Sequence, residues 1–425
     1  MDPSIDGCTD RRLRRNSGMA RVFALTGLVL GAALPACAPA HAEDWKLDAR
    51  LTTAIGAMNE NSADVPAADG LLADGSLALT RTDILSNGLQ LTWRGEVRLE
   101  RDAPSRPAFS GVLGNCPPAS AGCPAVADGS GFRSPISPAT GLSAYGDRVD
   151  EGAFATLEGA SLSVAGPWGE GMAGFDSGVA TRLDARAPTV LAAVSAFSPT
   201  LDPTGLVTVR ARNDVTGPSF KVGYMTPRLL GLRLGASYAP EANLRGADFD
   251  ANLDGPGLAR ADLKNVWEGA ASFARNFSSA GLRLRAALTT TKATSSSDFA
   301  GFGDYSAWGA GLELEKGGWS TGFRWLSSDN AWRAGHAGYQ AWEAGLVHQG
   351  EKWRIGVEGG RARDKLTLTE GSTWLIGASR KVNDHADVGL AWTSAGADLP
   401  VSDLSGFRHT NARNDGLILE LSVRN

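Results

Sequence analysis

Charged side chains that could take part in acid–base or ion-binding chemistry recur at every second position in several stretches of this sequence. In the segment TWRGEVRLE, Arg94, Glu96 and Arg98 alternate with Trp93 and Val97. A period of two is that of a β-strand with two different faces, so the charges lie on one face and the apolar side chains on the other. An earlier segment, WKLDAR, repeats this alternation with three charged residues, namely Lys46, Asp48 and Arg50.

The groupings that bond-breaking enzymes use are absent from the sequence. A hydrolase built on strands would need a nucleophilic serine, a histidine base and a polar residue that orients the base. No Gly-x-Ser-x-Gly segment occurs, and the histidines beyond residue 42 are scattered without the spacing of metal ligands. These histidines are His336, His348, His385 and His409. We therefore expect no catalysis, no metal and no cofactor.

Composition favours β structure. The chain has 425 residues, of which 53 are glycine and only 5 are methionine, and its mean hydropathy is −0.14. The slightly negative hydropathy argues against a bundle of membrane helices, and no run of helix-forming residues is present. The net charge of −5 argues against a protein dedicated to binding nucleic acid.

The N-terminus has the features of a secretory signal. Five arginines precede an apolar run at residues 22–34, and the small-residue segment APAHA ends at Ala42. This order predicts cleavage after Ala42, with Met19 as an alternative start. The run is too short for a transmembrane helix, which needs about 20 residues, and LPAC, ending at Cys37, only weakly resembles a lipoprotein signal. We predict a signal peptide over residues 1–42 and one mature domain over 43–425.

Two cysteines remain in the predicted mature chain. Cys116 and Cys123 lie in the Pro- and Gly-rich segment NCPPASAGCP. Exported proteins fold in an oxidising compartment, so we predict a disulfide between them. Two cysteines with no nearby histidine supply only half of a metal site.

Segments of about ten residues with period-two alternation recur along the mature chain, and connections of two to four residues alternate with long ones. The sixteen candidate strands are residues 45–57, 77–85, 89–101, 154–164, 169–176, 219–226, 231–239, 267–277, 281–291, 305–315, 318–328, 339–349, 352–363, 371–381, 385–394 and 414–424. An even number of such strands, with short turns at one end and long loops at the other, is typical of an outer-membrane β-barrel.

The solvent on each side of these strands determines the architecture. Lipid offers no partner to backbone N–H and C=O groups, so strands cross it only as a closed barrel. Sixteen strands enclose an interior too wide for side chains to fill, so this interior holds water. We predict an all-β, transmembrane antiparallel barrel with short periplasmic turns and long external loops. A soluble secreted sandwich or an adhesin stalk, the alternative, would need long connections at both ends.

Three stretches resemble the Gram-negative general-diffusion porins, and their order and spacing agree with that family. They are LSNGLQLTWRGEVRLE, GAFATLEGASLSVAGPWGEGMAGFDSG and FKVGYMTPRLLGLRLGASYAP. The resemblance implies a trimeric, sixteen-stranded channel in the outer membrane through which small hydrophilic solutes diffuse passively. It also implies that the third long loop, residues 177–218, folds into the lumen and constricts it. The partners implied are outer-membrane lipid, two further copies of the chain and solutes in transit, without nucleic acid.

Charged residues on the inner strand faces and on this loop are the candidate pore-lining set. They are Lys46, Asp48, Arg50, Arg94, Glu96 and Arg98 on the strands, and Arg182, Asp184, Arg186, Asp202, Arg210, Arg212 and Asp214 on the loop. We expect Arg50, Arg94 and Arg98 to form a basic wall opposite the loop aspartates, because opposed charges create a transverse field that favours polar solutes. The ion preference stays open, since the loop has more arginines than aspartates whereas the whole chain is acidic.

Some positions depart from the family pattern or favour an alternative function. Family members usually end in an aromatic residue, whereas this chain ends in Asn425, and Phe175 stands where relatives commonly carry a basic, pore-facing residue.

A substrate-specific channel for sugars or anions is the competing hypothesis. By alternation, Arg233, Arg283 and Arg285 face inward, where they would contribute to an arginine ladder. The long loop at residues 102–153 is long enough to reach a neighbouring subunit.

Overall fold

The structure is a computed structural model that describes most of the chain after Asp44. The described residues are 45–60, 71–101, 126–128, 131–141, 153–198, 201–244, 258–297, 299–403 and 406–425. The predicted signal peptide, residues 1–42, and the predicted Cys116–Cys123 disulfide lie outside them.

Sixteen antiparallel strands form one closed barrel, in which each strand pairs with its neighbours in sequence and the last pairs with the first. They are β1 (Trp45–Glu60), β2 (Leu71–Ile84), β3 (Gln90–Arg101), β4 (Ala153–Gly166), β5 (Gly169–Asp176), β6 (Ser219–Met225), β7 (Leu232–Glu241), β8 (Leu263–Phe277), β9 (Leu282–Ser295), β10 (Tyr305–Lys316), β11 (Trp319–Ser328), β12 (Tyr339–Gln349), β13 (Trp353–Asp364), β14 (Thr369–Asn383), β15 (Ala386–Asp403) and β16 (Gly406–Arg424). The predicted fold class is confirmed.

Other regular elements are short. Within the described residues, three small strands lie outside the barrel, at Val126–Asp128, Gly131–Pro135 and Leu258–Ala259, and the helices are α1 (Val179–Arg182) and a 3-10 turn (Ser278–Ala280). Within the described ranges, no helix has the length and apolar character needed to span a membrane.

Several strands extend further at the long-loop end than the sequence pattern predicted. The prediction of a loop over residues 395–413 is wrong, because β15 and β16 continue their pairing there, as in Asp398 opposite Asn411. The physical reason is that period-two alternation requires two different solvents. Here the outer face meets water beyond the lipid, while the inner face (Ala395, Ala397 and Leu399) packs against Leu206 and Val207 of residues 177–218, so the apolar side chains are on the inner face and the lipid pattern of alternation is lost.

The two faces of the barrel differ as the alternation predicted. Leu232 and Leu234 are exposed on the outer face, while Arg233 between them points inward. Tryptophans gather near both rims of the outer face, where amphipathic rings belong at the membrane–water boundary. Near the long-loop rim they are Trp267, Trp308, Trp325, Trp342, Trp374 and Trp392, and near the other rim Trp45, Trp93, Trp319 and Trp353.

Two positions singled out in the sequence have clear places in the barrel. Asn425 continues the closure of the barrel, because its side chain accepts a hydrogen bond from Ala49 N–H (2.7 Å) and donates one to Leu47 C=O (2.8 Å). Phe175 is opposite Ala160 and Phe220 on the outer face, so the expectation that it occupies a pore-facing position is wrong. The inward residue next to it is Asp176.

Candidate channel constriction

Residues 177–218, which we call the inner loop, fold into the barrel and follow its wall. At the start of the loop, Val179 and Leu183 pack against Met225 and the inward Ala270. The apolar tip, with Val190, Leu191, Val194, Ala196 and Leu201, packs against inner-face residues of the wall. These wall residues are Ala54, Leu72, Val347, Leu375, Ala391 and Ile418. The inner loop thus has its own core against the wall and does not depend on solvent-exposed contacts.

Two buried glutamates hold the tip of the inner loop by its backbone. The carboxylate of Glu420 on β16 accepts N–H groups from Ala192 (2.6 Å), Ala193 (3.0 Å) and Val194 (2.7 Å). Glu358 on β13 likewise accepts N–H groups from two loop residues, Val190 and Ala196. Both glutamates are only 2% exposed. Because buried N–H groups need acceptors, these bonds fix the height of the tip in the lumen.

The returning half of the inner loop is attached at several points of β9 and β12. The Tyr339 hydroxyl accepts the Arg210 N–H (3.0 Å) and donates to the Arg210 C=O (2.9 Å). Asn213 exchanges side-chain hydrogen bonds with Thr289 and Thr291 on β9. Where the outgoing half runs closest to the wall, the residue facing it is Gly345, since a Cβ there would collide with Pro188.

The three aspartates of the inner loop are buried and are used inside the protein. Asp184 is paired with Arg324 of β11 (3.4 Å), and Asp214 with Arg210 (2.8 Å). Asp202 caps a turn, where it accepts hydrogen bonds from the N–H groups of Thr204 and Val207. The aspartates are at most 9% exposed. They therefore do not form the acidic wall expected from the sequence, because Asp184 is held by the distant Arg324 and the other two are held by partners within the inner loop.

The inner loop instead presents arginines to the lumen. Arg186 is exposed, and the side chains of Arg212 and Arg182 are 39% and 23% exposed, whereas Arg210 is 13% exposed. Among the residues that the structure describes, no carboxylate lies within the 4 Å ion-pair distance of Arg186. Burial raises the pKa of Asp184 despite the nearby Arg324, Arg212 and Arg186.

On β1 and β3, strand charges form mixed pairs. Arg94 contacts Glu96 and Asp176 (3.1 Å), and Arg98 contacts Asp74 (2.8 Å) and Glu100 (2.9 Å). Nearer the periplasmic rim, Lys46 pairs with Asp48 (2.8 Å), and Arg50 donates a hydrogen bond to the C=O of Ala192 on the inner loop. All six predicted strand residues therefore lie on the inner face.

Asp176, which the sequence did not single out, links this wall to the inner loop. Its carboxylate binds Arg94, Arg182 (3.1 Å) and the Ser161 hydroxyl (2.6 Å). The only sequence signal for it was its inward position at the end of β5. Glu358 and Glu420 were missed for the same reason, since alternation marks a carboxylate as inward but does not say whether it meets water or a backbone.

A cavity of about 480 Å³ lies between the inner loop and the short-turn rim of the barrel. Five basic residues line it, against the carboxylates Asp48, Asp387 and Glu420, and these basic residues are Arg50, Lys352, Arg354, Lys381 and Arg424. In the described part of the chain, Arg354 has no carboxylate within 4 Å and donates to the Gln349 side chain (2.7 Å). This cavity next to the inner loop is therefore also rich in positive charge.

The inward arginines that would mark an arginine ladder are each neutralised. Arg233 is paired with Glu170 (2.9 Å), Arg283 with Glu315 (3.3 Å) and Arg285 with Glu313 (3.1 Å). In an arginine ladder an anion binds to successive arginines along the pore, so these arginines must not be neutralised by nearby carboxylates. These pairs give no support to a dedicated channel of that type.

Comparison with known proteins agrees with this architecture. The family model described as Gram-negative porin matches residues 24–398, whereas no curated protein matches the chain by sequence. The fold is similar to an anion-selective porin from Comamonas acidovorans (12% identity, 90% of this chain and 99% of that chain covered, TM-score 0.50). It is also similar to OprB of Pseudomonas putida (11%, 90% and 94%, 0.52) and to Salmonella typhi OmpF crystallised with daunomycin (11%, 90% and 97%, 0.50). At these identities the likeness concerns the fold alone.

Proposed function

Because the chain belongs to the Gram-negative porin family, we propose that its water-filled channel, which lets small hydrophilic solutes and ions diffuse passively across the outer membrane, prefers anions. One observation carries this proposal: the inner loop buries its three aspartates and exposes Arg186 and, in part, Arg212. The lumen at the loop is therefore lined by positive charge on the loop side and by mixed pairs on the strand side. Members of this family are channel proteins, and the proposal includes no bond chemistry.

The magnitude of this effect follows from the distance between an ion and the guanidinium groups. Two unit charges about 4 Å apart interact by about 1 kcal/mol in bulk water and by about 4 kcal/mol at the effective dielectric constant of a protein surface. Salt screens charges beyond about 8–10 Å at moderate ionic strength. Only the arginines that border the narrow part of the lumen, chiefly Arg186 and Arg212, therefore determine the preference, because Arg182 is paired with Asp176 and Glu170.

Planar-bilayer recording of the purified protein tests the proposal. In a KCl gradient, the reversal potential should have the sign of anion preference, and conductance should rise linearly with salt and with no saturation by a single solute. A reversal potential of the opposite sign, or of zero, would contradict anion preference. Conductance that saturates with one solute would contradict general diffusion and would identify a substrate-specific channel.

We expect anion preference to increase as the pH falls. Burial raises the pKa of Asp184, so this aspartate takes up a proton at a higher pH than an exposed one. Protonation removes a negative charge from beside Arg186 and Arg212, while Arg324 keeps its other partner, Glu343. The reversal potential measured between about pH 8 and pH 4 should therefore move further toward anions.

The matched variant for this pH dependence is Asp184→Asn, which is neutral at every pH. It should show stronger anion preference than the wild type at neutral pH. It should not show the change in reversal potential that accompanies protonation of Asp184 in the wild type. An identical pH profile in both proteins would contradict the role of Asp184 and would assign the change to the other lumen carboxylates.

We further propose that the outer face of β1–β4 forms the contact in a homotrimer. In the described residues of these strands, most outer positions near the long-loop rim are small or aliphatic, with Arg101 opposite Ala73 as a charged exception, whereas tryptophans occupy this height on many of the other strands. Aromatic residues suit a lipid–water boundary, so their absence supports a face that meets protein. The positions concerned include Ala57, Ala73, Gly75, Leu99 and Ala155.

A bulky substitution on this face tests the trimer. Ala155→Trp should prevent close packing and shift the mass measured by light scattering in mild detergent from three chains to one. Ala344→Trp, on the outer face of β12, is the matched control and should leave the mass unchanged. A wild-type protein that has the mass of a single chain would contradict the proposal directly.

A further inference from the structure

Residues 131–141, which we call the strap, belong to the second long loop and are fixed to other loops at the mouth of the same barrel. The small strand Gly131–Pro135 pairs in parallel with Leu258–Ala259, and the Ile136 N–H donates to the Ala259 C=O (2.9 Å). The described part of this loop therefore contacts its own barrel, although the loop is long enough to reach a neighbouring subunit.

After the small strand, two buried polar residues of the strap, Ser137 and Thr140, attach it to residues elsewhere in the chain. Ser137 donates to the Asn330 side chain (3.0 Å), and Thr140 donates to the carboxylate of Asp364 (3.1 Å). Asn330 also donates to Asp364 (2.9 Å), which joins the two anchors. All four residues are at most 4% exposed. Because buried polar groups need partners, these contacts form a specific binding site for the strap. We call this site, formed by Asn330 and Asp364, the seat.

The backbone of the seat supports this view. Asn330 and Ala331 both have φ of 55°, a left-handed conformation that is uncommon for residues other than glycine. Strained backbone of this kind persists only where the surroundings determine it. Here it directs the Asn330 side chain toward Ser137 and Asp364.

The position of the seat shows where the strap lies. The strap belongs to the connection between β3 and β4, whereas Asn330 lies between β11 and β12, eight strand positions away in a ring of sixteen. The anchors are therefore on the wall opposite the strands between which the strap is inserted. In addition, Ala139 packs in one apolar cluster with Val209 and Ala211 of the inner loop. The strap thus lies inside the mouth, above the returning half of the inner loop.

We propose that the strap is a second selectivity element, which narrows the extracellular mouth and sets the size limit for solutes before they reach the inner loop. Its residues 135–141 are buried, so it occupies part of the opening as packed protein rather than as an exposed loop. This inference rests on the proposed passive-diffusion channel. It separates two tasks: the strap limits size, and the arginines of the inner loop select charge.

Replacing residues 135–141 by a Gly/Ser segment of equal length tests the strap. In liposome-swelling assays with neutral sugars and polyethylene glycols of increasing size, the exclusion limit should move to larger solutes. Single-channel conductance should rise about twofold, because it follows the open cross-section of the pore. The sign of the reversal potential should stay the same, so failure of the strap is distinguishable from failure of anion preference.

A milder variant covers the case in which the replaced chain does not fold. Ser137→Ala with Thr140→Val removes both side-chain anchors while keeping their approximate size, and it should raise both the conductance and the exclusion limit. Gln340→Ala, on the nearby outer face of β12, is the matched control and should change neither. A folded double variant with the wild-type exclusion limit and conductance overturns the proposal.

Discussion

Replacing Arg186 and Arg212 together by glutamine is expected to shift the reversal potential in a salt gradient strongly toward cations. These arginines are the two most exposed cations of the inner loop. Their aspartate neighbours keep other partners, since Asp184 contacts Arg324 and Asp214 contacts Arg210. The replacement therefore removes positive charge from the lumen without freeing a buried carboxylate.

The expected size of the shift follows from the charges involved. An arginine that borders the ion path stabilises a monovalent anion by about 1 kcal/mol in a hydrated lumen, and salt screens part of this interaction. For the two arginines together, the ratio of anion to cation permeability should fall about tenfold. The conductance itself should change less, because glutamine leaves the width of the lumen nearly as it was.

A pair of arginines outside the lumen supplies the control. Arg361 and Arg363 lie on the outer face of β13, where the side chains are 61% and 65% exposed. Arg361→Gln with Arg363→Gln removes the same net charge and should leave the reversal potential unchanged. Equal shifts in the two double variants would mean that overall charge sets the preference, and no shift in the Arg186 and Arg212 variant would remove these residues from the selectivity element.

The barrel itself was predictable because lipid and water act on alternate residues of each strand. Leu232, Arg233 and Leu234 are sufficient to indicate an apolar exterior and a wet interior, and the strands follow this rule within the lipid except where inner residues such as Leu375 pack against the inner loop. The prediction failed where the rule has no physical basis. Beyond the lipid the outer face also meets water, while inner residues of the upper β15 and β16, such as Ala397 and Leu399, pack against the inner loop, so the apolar side chains change face and the lipid pattern that predicts a strand is absent there.

The inner loop was harder to predict because distant residues decide where its charges point. Asp184 and Arg186 are two residues apart in a polar loop, and the sequence does not indicate which of them faces the lumen. In the structure, Asp184 is drawn into the wall by Arg324, which is 3.4 Å away, while Arg186 stays exposed. Local pattern does not encode such a pairing between residues far apart in the chain. The seat of the strap at Asn330 and Asp364 is a similar case.

Loss of the Glu420 anchor is the second change for which we expect a large effect. Glu420→Ala leaves three loop N–H groups, those of Ala192, Ala193 and Val194, without their acceptor in a buried place. Each unsatisfied buried donor costs about 1–3 kcal/mol. The tip of the inner loop should therefore leave the wall for part of the time, and the free energy of unfolding should fall by about 3 kcal/mol or more.

Single-channel recording should show this release as rapid fluctuations between conductance levels, and thermal unfolding should show the lower stability. Glu420→Gln should have a smaller effect, since its carbonyl oxygen still accepts one or two of the N–H groups while its amide nitrogen does not. Glu315→Gln is the matched control: Glu315 also faces the lumen, but it pairs with Arg283 and not with the inner loop. A quiet Glu420→Ala channel with wild-type conductance would show that the apolar contacts of the tip hold it without the glutamate, because Glu358 and the packing of Val190, Leu191 and Val194 would then be sufficient.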